Sequence, residues 1–577
     1  MNVNSEVAPE YDLVIVGSGG GAVVAALVAK SQGKSAVIVE KLQYFGGTTS
    51  YSGGVLWIPD NPLMAEAGVA DSYDMAMRYL DNVVEYHGPA VTPERSHTFL
   101  RAGPKMVDFL RNFGMKFRRP FHDWPDYYDN LPGGSPEGRS LLAEPFNVRE
   151  LGPWQKRLSI YAPLEHMPLS AEEFTTLFTM KTSLSGKLKA LKYAALMARD
   201  KVLGRQTITN GAAIQGRLLQ IALNEKLSFF LETPMTGFIV DNERVAGVRV
   251  RHDGKEIEIR ARDAVIVNAG GYGHNKAFRV QHGAEPKSVD QSRANPGDTG
   301  EVLQAMMDLG AATDVLDAAW WVITSRNRDG SWPEGAVFPD GSIFSFMHHL
   351  DLSLPHSLMV DQGGRRFCDE AGAYMEIGER MVARNREMGR AIPAWVIFDK
   401  RHRDKYPWGF MPPGKTPQSW IDSGYMIKAD TLDALARTCS IDPEGLADEV
   451  ARFNGFCRTG FDPDYNRGGR VFDRSHGDPS VKPNPNLGGV EQGPFYAVAM
   501  YPADVGTSGG VVTDQYARVR RDDGSVIEGL YAIGNSAASP YGRCYPGAGA
   551  TIGASMAFGF VAAQHASRSN VLEQILA

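Results

Sequence analysis

The chain has 577 residues, 43% hydrophobic and 22% charged, a globular profile with room for about two to four domains. Its 60 basic and 67 acidic residues leave a net charge of −7, so no chain-wide basic surface marks a nucleic-acid binder. The four cysteines (Cys368, Cys439, Cys457, Cys544) form no C-x-x-C pair; neither a disulfide framework nor a zinc site is expected, and a reducing cytoplasm fits best.

The opening MNVNSEVAPEYD has no basic start and no apolar run, so it does not read as a signal peptide. No apolar stretch approaches the ~18 residues of a membrane span. Tyr11 to Val16 reads as a buried strand, Gly21 to Ser31 as an alanine-rich helix and Ser35 to Glu40 as a second buried strand. This is one βαβ unit, whose strands lie parallel inside a sheet. A helical region follows from about Asp71 to Gly114. Over Glu243 to Gly271 the alternation predicts a β-meander with an Asp253-Gly254 turn and a last buried strand at Ala264 to Asn268. Strand signals resume near Gly509, and a final helix is expected from about Ala550 to Ser567.

The expected fold is therefore α/β: a discontinuous Rossmann-like domain over 1–287 and 488–577, with a helical insertion at about 140–210. An inserted α+β catalytic domain is expected over 288–487.

Gly17-Ser18-Gly19-Gly20-Gly21-Ala22 is the G-x-G-x-x-A form of the dinucleotide fingerprint. Gly17 permits the tight turn, Gly19 a close approach to pyrophosphate, and Ala22 a close helix. The helix start adds free N–H groups and a positive dipole end. Glu40, followed by Lys41, ends the second strand where a ribose hydroxyl needs an acceptor. Gly46 to Gly54 comes next. Gly47, Thr48, Thr49, Ser52, Gly53 and Gly54 suit a backbone that lies against a flat ring and donates hydrogen bonds to it.

Two further segments are Val265 to Gly271, with Ala269, Gly270 and Gly271, and Gly529 to Asn535, ending in Gly534 and Asn535. With them the chain resembles the flavoprotein superfamily of fumarate reductase and the 3-ketosteroid dehydrogenases. It is most similar to the 3-ketosteroid Δ1-dehydrogenases, from about Tyr11 to Ala563. The marks are FGGTTSYSGGVLWIP at Phe45 to Pro59, WPDYY at Trp124 to Tyr128, GGRRFCDEAGAY at Gly363 to Tyr374 and CYPGAGATIGASMAFG at Cys544 to Gly559.

The resemblance implies noncovalent FAD, with Ala550 and Ile552 beside it, and a steroid or cyclic ketone as substrate. It also implies four active-site positions. Tyr127 and Tyr374 match the tyrosines near the proton to be removed; Tyr545 and the amide of Gly549 match the clamp on the ketone oxygen. A phenol and an N–H aimed at one oxygen form an oxyanion hole, which acidifies the α-carbon. Tyr128 is the alternative to Tyr127, and Tyr541 is a further candidate for the pocket wall. A quinone or dye would reoxidise the flavin, and no second fingerprint suggests NAD(P)H.

Three rival activities remain: desaturation of a smaller cyclic ketone, 4-ene formation and fumarate reduction. The 4-ene enzymes place a serine two residues after the clamp tyrosine, where this chain has Gly547. A dicarboxylate would need convergent cations, for which Arg365-Arg366 is the candidate.

Gly506-Thr507-Ser508-Gly509-Gly510 fits the nucleophile-elbow spacing, but a strand follows it where a helix is needed. The adjacent His348-His349 share no element face, so no metal site is read there. Leu184, Leu188, Leu191, Ala195 and Val202 fall at helical spacing among Lys187, Lys189, Lys192, Arg199 and Lys201. A basic amphipathic helix over 184–205 can pack on the protein or rest on an anionic membrane. The expected location is thus cytoplasmic, with or without peripheral membrane contact.

Overall fold

The computed structural model describes residues 7–120, 124–160, 169–170, 172–173, 184–283, 292–336, 346–348, 350–409 and 411–577. Its larger sheet has eight strands, built around a parallel run in the spatial order Val526–Ala532, Lys255–Val267, Glu10–Val16, Ala36–Val39 and Ser228–Phe230. The register sets Val14 beside Val265 and Val37. Successive side chains point to opposite faces, so Leu13, Ile15, Ile38 and Ile266 pack on the helices Gly20–Ser31 and Ala550–Ala566. Val14, Val16, Val39 and Val267 pack on the other face, against the meander and the helix Glu301–Asp308. Both faces are covered, which is why these strands read as unbroken apolar runs.

The two helices on the first face cross closely. A Cβ on Gly21 would lie 2.4 Å from the Ser555 carbonyl oxygen, and one on Gly559 2.5 Å from that of Gly21. Only glycines permit this crossing. Through it the first and last segments of the chain support one site.

The second sheet is antiparallel, with Phe495–Thr507 at its centre. That strand pairs with Ala319–Arg326, Ala394–Phe398 and Met426–Ala429, while Ser357–Val360 pairs with Ala394–Phe398. These pairings correct both expected boundaries. Residues 495–507 belong to the inserted sheet and not to the closing Rossmann segment. Conversely Val302, Leu303 and Met306, assigned above to the insertion, pack on the larger sheet. The physical reason is that strand pairing is a nonlocal contact, invisible to a boundary drawn from glycine and proline content.

Candidate active site

A cavity of about 390 Å³ runs between the two sheets. At one end the strand Glu10–Val16 stops at Gly17, whose φ is +95°. A Cβ there would come within 2.3 Å of the Asn268 carbonyl oxygen, so the turn requires glycine. The following helix starts at N-cap Gly19 without a side-chain cap, leaving N–H groups for an anion. The buried amide nitrogen of Asn268, on the same wall, has no hydrogen-bond partner. An uncapped helix start and an orphaned donor fit a pyrophosphate.

Most of the expected cofactor residues line this cavity. Gly17, Ser18, Gly19, Glu40 and Lys41 do so at the fingerprint, and Gly47, Thr48, Thr49, Ser52, Gly53 and Gly54 in the second loop. Ala269, Gly270, Gly534, Asn535 and Ile552 complete the wall. Five expected residues lie behind it. Gly20 donates its N–H to Thr49 Oγ1 at 3.2 Å, and Gly21 is spent on the helix crossing. Ala22 is fully buried against the core, and a Cβ on Gly271 would strike Thr507 Oγ1 at 2.0 Å. The Ala550 N–H is consumed by the Gly547 carbonyl, 3.1 Å away. These five shape the backbone; they do not face the cavity.

Glu40 accepts the N–H and hydroxyl of Ser18 at 3.0 and 2.7 Å, and the Leu42 N–H at 2.9 Å. Burial nevertheless raises its pKa. Lys41 is held by Thr299 Oγ1 at 2.8 Å and by Glu301. Asp298, absent from the sequence reading, accepts from Thr48 Oγ1 at 2.9 Å, and burial pushes its pKa up to about 7. The isolated G-D dipeptide Gly297-Asp298 offers too weak a pattern to single out.

At the other end three tyrosines converge. Ring centroids lie 5.8 Å apart for Tyr127 and Tyr374, 5.6 Å for Tyr127 and Tyr545, and 5.9 Å for Tyr374 and Tyr545. Tyr374 comes from the start of the helix Tyr374–Met388 in the insertion, and Trp320 packs on Tyr545 at 5.2 Å. Burial pushes Tyr127 and Tyr374 well above 10. Their shared hydrogen bond then acts in opposite senses, easing Tyr127 and raising Tyr374 further. The Gly549 N–H donates to the Tyr545 hydroxyl at 3.3 Å, so both groups address one point. Gly549 has φ +91° and caps the helix Ala550–Ala566; a Cβ there would meet the Val55 carbonyl oxygen at 2.1 Å.

A buried network stands behind the tyrosines. Asp126 accepts from Trp57 Nε1 at 2.8 Å, from the Ser135 N–H at 3.0 Å and from Arg139, which also binds Asp71. Tyr79 donates to the Pro546 carbonyl at 2.6 Å, and the Tyr127 N–H meets the same oxygen at 3.2 Å. The Tyr127 segment and the Tyr545–Gly549 segment are thus tied to one atom. Asp126 lies inside the WPDYY motif, the one signal that could have pointed to it.

The alternatives separate geometrically. Tyr127 lines the cavity, whereas Tyr128 lies outside it under Arg470. Tyr541 does not line it and packs edge-on against Trp57 and Phe99. Arg366 is buried on Glu370 and Asp462, and Arg365 pairs with Asp448; neither forms a dicarboxylate clamp. Among the described residues no cluster suited to a metal ion occurs.

A covered parallel sheet, a helix N-terminus open to a phosphate and a largely apolar cavity beneath an inserted sheet are the frame of a dinucleotide-dependent oxidoreductase. Residues 12–552 match the FAD binding domain family. A 3-oxosteroid 1-dehydrogenase of Mycolicibacterium smegmatis is 38% identical over 96% of each chain. A 4-oxocyclohex-2-ene-1-carboxylate 5-dehydrogenase of Sinomonas cyclohexanicum is 32% identical, covering 96% of this chain and 94% of that one. In structure, a 3-ketosteroid Δ1-dehydrogenase of Sterolibacterium denitrificans, solved with 1,4-androstadiene-3,17-dione, aligns with a TM-score of 0.88 and 34% identity. It covers 97% of this chain and 100% of its own. The chain belongs to the FAD-dependent family of the 3-oxosteroid 1-dehydrogenases.

Proposed function

We propose that the protein introduces a C1–C2 double bond into a 3-ketosteroid. The observation that carries this reading is the convergence of Tyr545 and the Gly549 N–H beside the Tyr127–Tyr374 pair. The two donors hold the C3 ketone oxygen and stabilise the negative charge that develops there, at about 3–4 kcal/mol per donor. Carbon 2 becomes acidic, and the Tyr127–Tyr374 pair, one as phenolate hydrogen-bonded by the hydroxyl of the other, takes its proton. The fingerprint, the Thr48–Thr49 loop and Asn268 would hold FAD, which would supply the acceptor for the hydride from carbon 1. The surrounding aromatic rings exclude water from the enolate-like carbon.

Desaturation of a smaller cyclic ketone is the second reading, favoured by the relationship to the oxocyclohexene carboxylate enzyme. Turnover of 4-androstene-3,17-dione, a 5α-reduced 3-ketosteroid and cyclohexanone with a dye acceptor separates the two. Steroid turnover with a new C1–C2 double bond is expected; turnover of cyclohexanone alone would contradict it.

We further propose that the helix Leu184–Val202 rests on an anionic lipid surface. Leu184 and Val202 are 74% and 84% exposed, and Leu188 and Leu191 are exposed with them, among Lys187, Lys192, Arg199 and Lys201. Residues on both sides of this excursion, Ser170 and Asn210, line the cavity. An apolar substrate would then enter from the bilayer. No described helix is long and apolar enough to cross a membrane.

A further inference from the structure

The inserted sheet contains a hydrogen-bond chain that the desaturation does not use. Trp408 Nε1 donates to the Tyr425 hydroxyl at 2.9 Å, which lies 2.7 Å from Ser325 Oγ. Ser325 Oγ lies 2.7 Å from His348 Nε2, and His348 Nδ1 lies 2.6 Å from Asp351 Oδ2. All five side chains are buried, and the His348 ring stacks on Trp408 with centroids 4.2 Å apart.

With the Asp351 carboxylate as the final acceptor, one proton arrangement satisfies the whole chain. In it the indole N–H donates to the Tyr425 oxygen, and the Tyr425 proton goes to Ser325. The Ser325 proton then goes to Nε2, which leaves the imidazole proton on Nδ1 for Asp351. Every proton has a place, and Asp351 ends the chain as a pure acceptor. The Ser–His–Asp order resembles a hydrolase triad, but Ser325 is fully buried and donates inward.

Asp351 Oδ1, the other carboxylate oxygen, is buried and has no partner among the described residues. The residue itself stands on the cavity wall beside Phe346, Met347, Leu350 and Gly409. This wall is remote from the ketone clamp. The strand Ala319–Arg326 carries Trp320, which packs on Tyr545, and Ser325 five residues further on, roughly 17 Å away. A buried acceptor without a donor is costly, and a ligand hydroxyl removes that cost.

We propose that Asp351 is a specificity-determining residue that accepts a hydrogen bond from a hydroxyl on the end of the substrate opposite its ketone. The assignment rests on the ketosteroid reading above. It selects hydroxylated 3-ketosteroids over the matching diketones, and it disfavours ketones bearing a carboxylate at that end.

The test compares kcat/KM for 17β-hydroxy-4-androsten-3-one and 4-androstene-3,17-dione in the holoenzyme. The wild type should prefer the hydroxy compound by about tenfold, the worth of one hydrogen bond to a charged group. Asp351→Leu should bring the ratio near one. Asp351→Asn, whose amide can donate to a ketone, should push it below one and improve turnover of a 3-ketosteroid with a carboxylate side chain at carbon 17. If Asp351→Leu does not retain FAD, the isosteric Asp351→Asn decides. A wild-type preference for the diketone, or one ratio shared by wild type and variants, overturns the assignment. Lack of turnover of either steroid by the wild type overturns the desaturase reading, and this inference with it.

Discussion

The chemistry at residue scale rests on where four groups point. Tyr545 and the Gly549 N–H already lie within hydrogen-bond distance of each other, so a ketone oxygen replaces a contact and does not have to create a site. Tyr545→Phe removes one donor and keeps the ring that packs on Trp320. Turnover should fall about 100-fold or more with FAD still bound; an unchanged rate would remove Tyr545 from the clamp. The base has a pH signature. Burial holds Tyr127 and Tyr374 well above 10, and the reactive form is the phenolate. Activity should therefore increase with pH and keep rising up to the ordinary phenol value of about 10. Because the two hydroxyls share a hydrogen bond, the profile belongs to the pair. A plateau near neutrality, or the same rise in Tyr374→Phe, would place the base elsewhere.

Among elements, the decisive contact is made by buried residues that flank the tyrosines and do not themselves react. Arg139 neutralises Asp71 and Asp126, and Asp126 anchors Trp57, which packs on Gly547 beside the clamp. Arg139→Met would leave two buried carboxylates uncompensated, at about 3–5 kcal/mol. Thermal denaturation should show a large loss of Tm together with loss of turnover; a variant with wild-type Tm would show that the network is dispensable. This network also marks what the sequence can reveal. The fingerprint was legible because strand, turn and helix are local and each glycine has a geometric reason. Even so, the fingerprint does not show that Gly21 also permits the close crossing with Ser555 and Gly559. A boundary at 487 places Phe495–Thr507 in the closing Rossmann segment, because its partners lie up to 188 residues before it and leave no local signal. Likewise Asp298, and the chain from Trp408 to Asp351, join residues whose proximity only the fold creates. The tyrosines were found through motif resemblance, since nothing in their spacing predicts that three rings should meet.

Across the whole molecule, the two sheets divide the work. The parallel sheet carries the cofactor-binding turns, with Tyr545 and Gly549 beside them, and the inserted domain brings Tyr374 and the far wall. The exposed helix Leu184–Val202 adds a surface with no place in that division. Co-sedimentation with anionic phosphatidylglycerol vesicles should recover the wild type and lose most of it with Leu188→Glu and Leu191→Glu together, since both apolar contacts and lysines contribute. Equal recovery would assign the helix to the protein's own surface. The central claim is tested most directly by mixing the oxidised holoenzyme anaerobically with one equivalent of 4-androstene-3,17-dione. The yellow flavin absorbance should bleach as 1,4-androstadiene-3,17-dione appears in equal amount. An unchanged spectrum, or bleaching without a C1–C2 double bond, would contradict it.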